Sequence, residues 1–264
     1  MRVLFCVAPL VALAATAPAL RALPDHEAPR NATVDASGAR LVQVRGRAGM
    51  MRIVGRTGIT EVRVRGTARA SREEDLDDIK LVAERRGDVV LVEVQIPDRE
   101  SYGWGDRNRA LDLVIDVPAG SAMEVDDSSG DIEIRGVGAL DLEDSSGDID
   151  LEDLGGAVRI EDSSGGIRVV GVKGDVSIRD SSGDIDARRI TGALTVEEDS
   201  SGEITVADVT GTVHVRRDSS GGIEVAGVGG DFLVDRDGSG GIDYRDVKGE
   251  VRIPQRRGRH RHDW

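Results

Sequence analysis

The sequence predicts an all-β protein, a single-stranded parallel β-helix (β-solenoid) with about 18–19 residues per coil, preceded by an irregular N-terminal β region. Three observations predict it. Asp-Ser-Ser-Gly begins at Asp127, Asp144, Asp162, Asp180, Asp199 and Asp218, and Asp-Gly-Ser-Gly begins at Asp237, in steps of 17, 18, 18, 19, 19 and 19 residues. Two short alternating apolar runs follow each tetrapeptide at fixed phase. The 34 glycines against 7 prolines, with only 2% aromatic residues, describe a turn-rich chain with an aliphatic core.

Within one unit the order is constant. After the turn at Asp144, Ile149 and Leu151 mark a strand with one buried face, Leu154 and Gly156 mark a corner, and Val158 and Ile160 mark a second strand. Such a unit cannot bury its apolar face alone, so the copies must stack. Seven coils at an inter-strand spacing of roughly 4.8 Å make a rod segment about 30 Å long. The added residue in later units, as at Glu197-Glu198 and Arg216-Arg217, predicts a bulge before the turn.

Residues 23–126 carry alternating runs at Val42/Val44, Met51/Ile53, Val62/Val64, Val89 to Ile96 and Leu111 to Val117. These read as β layers that cap or lead into the solenoid, because an uncovered end coil offers open strand edges. Two polar stretches interrupt them, Ser71 to Asp78 and Asp98 to Asn108. The second reads as an exposed hairpin loop, and its Tyr102 and Trp104 are candidate partner-binding residues.

Met1, Arg2, an apolar run from Val3 to Ala15 and then Ala17-Pro18-Ala19 predict a signal peptide over residues 1–22, cleaved after Ala19 or Ala22. Cys6 falls inside it, so the mature chain has no cysteine, and no second apolar run of membrane length follows. The expected division is a signal peptide (1–22), an N-terminal β region (23–126), the repeat solenoid (127–253) and a basic tail (254–264). The protein is expected outside the cytoplasm, in the periplasm or at the cell surface.

Acids outnumber bases 49 to 35, a formal charge of −14. Residues 127–249 hold 28 acids and 12 bases, so the repeats account for the whole imbalance. Acidity and scarce aromatics exclude general nucleic-acid binding. Stacking places Asp127, Asp144, Asp162, Asp180, Asp199, Asp218 and Asp237 in one column and Asp131, Asp148, Asp184 and Glu203 in another. The turn aspartates have two readings. Their carboxylates can accept hydrogen bonds from the amides of their own turns. Alternatively they bind calcium, a hard cation that takes carboxylate and carbonyl oxygens, in a β-roll-like module. Apart from possible calcium, no cofactor is expected. No His or Lys recurs in phase with the turn serines, so no nucleophile–base pair forms and an enzyme is not expected.

Leu113-Val114-Ile115-Asp116-Val117-Pro118 followed by serial Ser-Gly-Asp-Ile turns resembles a bacterial β-strand-repeat family known as "putative adhesin", a domain of unknown function that is head-GIN-like. Gly166, Glu203, Gly222 and Gly241 depart from it at the Asp place. The resemblance covers roughly residues 36–253. It implies a parallel β-helix exposed in the cell envelope: a non-enzymatic, adhesin-like scaffold or binding surface whose partner is an envelope protein or glycan.

Overall fold

The computed structural model describes residues 26–97 and 109–254. The segment read as a signal peptide, the Tyr102 and Trp104 loop and the tail from residue 255 lie outside the described residues. Alternating apolar residues at the phase read from the repeats give each coil two short strands, and the coils stack into two facing 11-stranded sheets. One sheet carries the first strand of every coil, from Ile132–Arg135 through Ile242–Val247; the other carries the second, from Leu140–Glu143 through Val251–Arg252. All of these pairs are parallel and in register. Ile132, Ile149, Ile167, Ile185, Ile204, Ile223 and Ile242 form one row. Leu140, Val158, Val176, Leu194, Val213, Phe232 and Val251 form another on the opposite sheet. Up to Val234 these inward ladders are buried, and they make one continuous aliphatic core. The added residue at Glu197 produces the expected register shift, with Arg179 opposite Glu198.

The N-terminal runs all form strands, and two of them make a hidden coil. Leu41–Arg45 pairs in parallel with Ala122–Asp126, and Met51–Arg56 pairs in parallel with Ile132–Arg135, although residues 57–121 intervene in the chain. The outer edges of that coil pair in parallel with Val89–Gln95 and Arg109–Pro118, and beyond these the pairing turns antiparallel: Glu61–Ala70 lies between His26–Asp35 and Arg109–Pro118, and Lys80–Arg86 pairs with Val89–Gln95. A 3-10 turn at Glu73–Asp78 brings Leu76 and Ile79 against this end of the core. The Arg30 guanidinium fixes the turn by donating to the carbonyls of Leu76 (2.7 Å) and Ile79 (2.9 Å). Buried Asp116 accepts from Arg56 and Arg65, each at 2.9 Å. Burial alone would raise this carboxyl, but the two guanidiniums hold it below the usual range.

Two columns of backbone geometry set the coil. The glycine that ends each Asp-Ser-Ser-Gly has positive φ, and it lies against the same glycine one coil earlier: a Cβ on Gly183 would stand 1.7 Å from the carbonyl oxygen of Gly165. At the opposite corner Gly136, Asp153, Gly171, Arg189, Asp208, Gly227 and Asp246 are all left-handed, at φ 56–77°. Only three of these seven are glycine, so the sequence does not announce the column. Asp tolerates this region, whereas for Arg189 it is strained.

Gly183→Ala should therefore lower stability by more than about 2 kcal/mol in denaturant unfolding, because backbone must shift to admit the methyl group. Arg189→Gly should raise it by about 1 kcal/mol by relieving the left-handed strain.

Candidate functional site

Along each second strand side chains alternate inward and outward, and the turn aspartate takes the next inward place: Leu140, Leu142 and Asp144 in one coil, Val158, Ile160 and Asp162 in the next. Asp127, Asp144, Asp162, Asp180, Asp199 and Asp218 are accordingly at most 6% exposed, and Asp237 in the last turn is half-buried. The column expected from the spacing is present, but it lies inside the corner of the rod rather than on its acidic surface. In three of the turns the carboxylate accepts from the turn's own amides: Asp162 from Ser163 (2.7 Å), Asp180 from Ser182 (3.1 Å) and Asp199 from Ser201 (3.2 Å). The second serine ties coils together, its hydroxyl donating to the first-serine carbonyl of the coil before, as Ser182 does to Ser163 (3.2 Å) and Ser220 to Ser200 (3.0 Å). Aspartates of the other acidic column accept amides from the next coil, Asp148 from Gly166 (2.9 Å) and Asp184 from Glu203 (2.8 Å). Every element of the tetrapeptide except the outward side chain of its first serine thus has a role in the turn.

The inward position has an electrostatic cost. One oxygen each of Asp127, Asp162, Asp180 and Asp199, and both oxygens of Asp144 and Asp218, are sealed from solvent without a hydrogen-bond partner among the described residues. Burial pushes these carboxyls up, to about 7 for Asp127 and Asp199 and to about 6 for Asp162 and Asp218, with Asp144 and Asp180 also raised. The neighbouring coils' aspartates add to the shift at Asp127, Asp162, Asp199 and Asp218. Among the described residues no three His, Cys, Asp or Glu side chains converge to hold a metal ion. A straight ladder places carboxyls side by side and does not surround a point.

Outside, the second sheet bears a feature that reading the turns did not find. Ala122, Ala139, Ala157, Asp175 and Ala193 stack at the starts of their strands and line a shallow groove of about 620 Å³, alanine at every step but one. The outward row Glu124, Asp141, Arg159, Ser177 and Thr195 runs beside it, one residue from each coil. The signal lay in the alanine that follows the corner glycines Gly138, Gly156 and Gly192; after Gly174 the same place is taken by Asp175. A second hollow of about 660 Å³ opens where the hidden coil meets the antiparallel strands; Arg45, Arg47, Lys80, Asp78, Glu93 and Asp126 line it. The chain enters the Tyr102 and Trp104 segment at Pro97 on its rim. His214 lies on the outer face with its Nε2 2.9 Å from Asp235 Oδ2, an ordinary surface pairing.

The model of the Toastrack family, a domain of unknown function (DUF4097), matches residues 61–221. The chain belongs to the Toastrack family. Solved structures are similar to the chain at low identity. A "putative adhesin" from Bacteroides fragilis is 12% identical over 86% of this chain and 96% of its own, with a TM-score of 0.48. A "putative cell adhesion protein" from Clostridium sporogenes is 15% identical over 86% and 99%, with a TM-score of 0.31. A "putative lipid binding protein" from Parabacteroides distasonis is 17% identical over 86% and 97%, with a TM-score of 0.41. No curated protein matches the sequence. Among the described residues no helix is long and apolar enough to cross a membrane.

The interior aspartates give this Toastrack chain an unusual pH dependence. Their folded pKa values lie above the unfolded value near 4, so between about pH 4 and pH 7 the folded state holds more protons than the unfolded one. Stability is lost as pH rises through the folded values. The melting temperature should rise by at least about 5 °C from pH 8 to pH 5, by calorimetry or circular dichroism. Asp199→Asn should raise it at pH 8 and flatten the profile.

Proposed function

We propose that the protein is an exported, non-enzymatic, adhesin-like scaffold of the cell envelope, periplasmic or at the cell surface, and that its binding face is the groove on the second sheet. One observation carries this reading. The interior ladders and the backbone of both corners repeat from coil to coil, whereas the outward row from Glu124 to Thr195 varies along the groove, acid, acid, base, hydroxyl, hydroxyl, beside alanines interrupted by Asp175. A row of differing side chains roughly 4.8 Å apart suits an extended polymer, an envelope glycan or a stretch of envelope protein. The names of the structural neighbours fit an adhesive role, and the order of charge, apolar run and small residues over 1–22 supports export. Tyr102 and Trp104 are the alternative contact point.

Binding of the full chain to isolated peptidoglycan sacculi and to an array of bacterial polysaccharides and envelope proteins tests this. Ala157→Arg, which fills the groove from an exposed position, should weaken binding at least tenfold, and Trp104→Ala should leave it unchanged. The reverse pattern would move the site to the loop. Mass spectrometry of the exported protein should find a first residue of Leu20 or Leu23.

A second reading, a calcium-dependent β-roll-like module, has the sealed carboxylate oxygens in its favour. The inward direction of those side chains weighs against it. Melting in EDTA and in millimolar calcium should give the same temperature; a chain that folds only with calcium would reverse the ranking.

A further inference from the structure

The two ends of the rod differ. At the N-terminal end antiparallel strands cover the core, with Ala28, Ala32, Val34, Leu81 and Ala83 packed against it. At the C-terminal end the last coil has no such layer among the described residues. Ile242, Val247, Val251 and Ile253 are half-buried where the same rows are sealed in earlier coils, and Tyr244 is 48% exposed with its ring on Phe232 (centroids 5.9 Å apart).

Both edges of this coil have one pattern: Asp243-Tyr244-Arg245 on the first sheet and Glu250-Val251-Arg252 on the second. Of the seven coils only this one places acid, inward apolar residue and base on both sheets; the coil from Ile185, for example, has Asp186-Ala187-Arg188 on one sheet but Ala193-Leu194-Thr195 on the other. The carbonyls of Gly241 and Glu250 face the inner coil, where they accept from Ile223 and Phe232, each at 2.8 Å. Strand alternation then turns the N–H and C=O of Tyr244 and Val251 to the free edge. A two-fold axis through these residues would pair Tyr244 with Tyr244 and Val251 with Val251 as hydrogen-bonded antiparallel pairs. It would also set Asp243 opposite Arg245 and Glu250 opposite Arg252 of the other copy. Phe232 is the inner-coil neighbour of Val251 and touches Tyr244, so the two centres lie across the core from one another and one axis serves both sheets.

The geometry points to an end-to-end homodimer: a second copy of this chain docks on the open C-terminal coil, both sheets running on through antiparallel pairing with charge-matched edges. The pairing covers the exposed Tyr244 and the end of the core, and it leaves the second-sheet groove of each copy free. It does not depend on what the groove binds.

Charge swaps at exposed positions test it without touching the core. In sedimentation equilibrium at micromolar concentration the full chain should be dimeric. Asp243→Arg puts bases at both 243 and 245, and Arg245→Asp puts acids at both, so each variant alone should have its dimer dissociation constant raised at least tenfold. A one-to-one mixture of the two restores every opposite pair and should recover the dimer. A monomeric wild-type chain would overturn the proposal and leave the end coil to residues 255–264 or another partner. Single variants that dimerise as the wild type does, or a mixture that stays monomeric, would overturn the register.

Discussion

Coil meets coil in this protein at a distance that only backbone permits. At the Asp-Ser-Ser-Gly turn a glycine lies directly on the glycine below it, with no room for even a methyl group. That contact keeps the amides of successive turns in bonding range: Gly165 donates to the Ser182 carbonyl at 3.0 Å and Gly183 to that of Ser201 at 3.0 Å. With the turns held at this spacing, the strands on either side fall into register and the inward aliphatic side chains meet in rows. The outward rows along the groove follow from the same repeat distance.

The aspartate of the turn shows how local and long-range demands conflict. Locally an inward carboxylate is a good turn former, because it accepts the amides that the tight bend leaves unpaired. Stacked, it becomes one of a ladder of acids, each desolvated and several within range of the next. The conflict is settled by protons: the carboxyls stay neutral to higher pH than they would in water. Near Asp116 the opposite solution appears, with two guanidiniums supplying the charge that burial opposes. These two sites work in opposite directions as acid is added, so the most stable state lies in mildly acidic solution.

Most of the solenoid was legible because its phase is carried by single residue types: the Ile row and the apolar pairs placed the strands, and the added Glu197 placed the bulge. The direction of the turn aspartates was present in the same alternation. Continuing Leu140, Leu142 by one more step reaches Asp144, but a charged residue in a turn invites an outward assignment. The hidden coil was not legible. Gly46 to Met50 takes the place of the tetrapeptide, and the partners of Leu41–Arg45 and Met51–Arg56 come from much later in the chain, where no local period points to them. The left-handed corner was masked by Asp153, Arg189, Asp208 and Asp246, which do not look like glycine although they adopt its geometry. The alanines of the groove floor, interrupted by Asp175, have no chemistry to draw attention to them.

The placement of that hidden coil has a consequence for the order in which the chain is assembled. Leu41–Arg45 and Met51–Arg56 are flanked on one side by Val89–Gln95 and Arg109–Pro118 and on the other by Ala122–Asp126 and Ile132–Arg135. As the polypeptide emerges, its first strands can pair on one side by residue 118, but their other edges stay open until residue 135 has followed. Only then does a platform exist, and from that moment each new stretch of 18 or 19 residues can wind onto the one before it. Closing that platform brings together strands far apart in the chain, whereas each later coil joins near neighbours, so the platform carries the larger loop-closure cost.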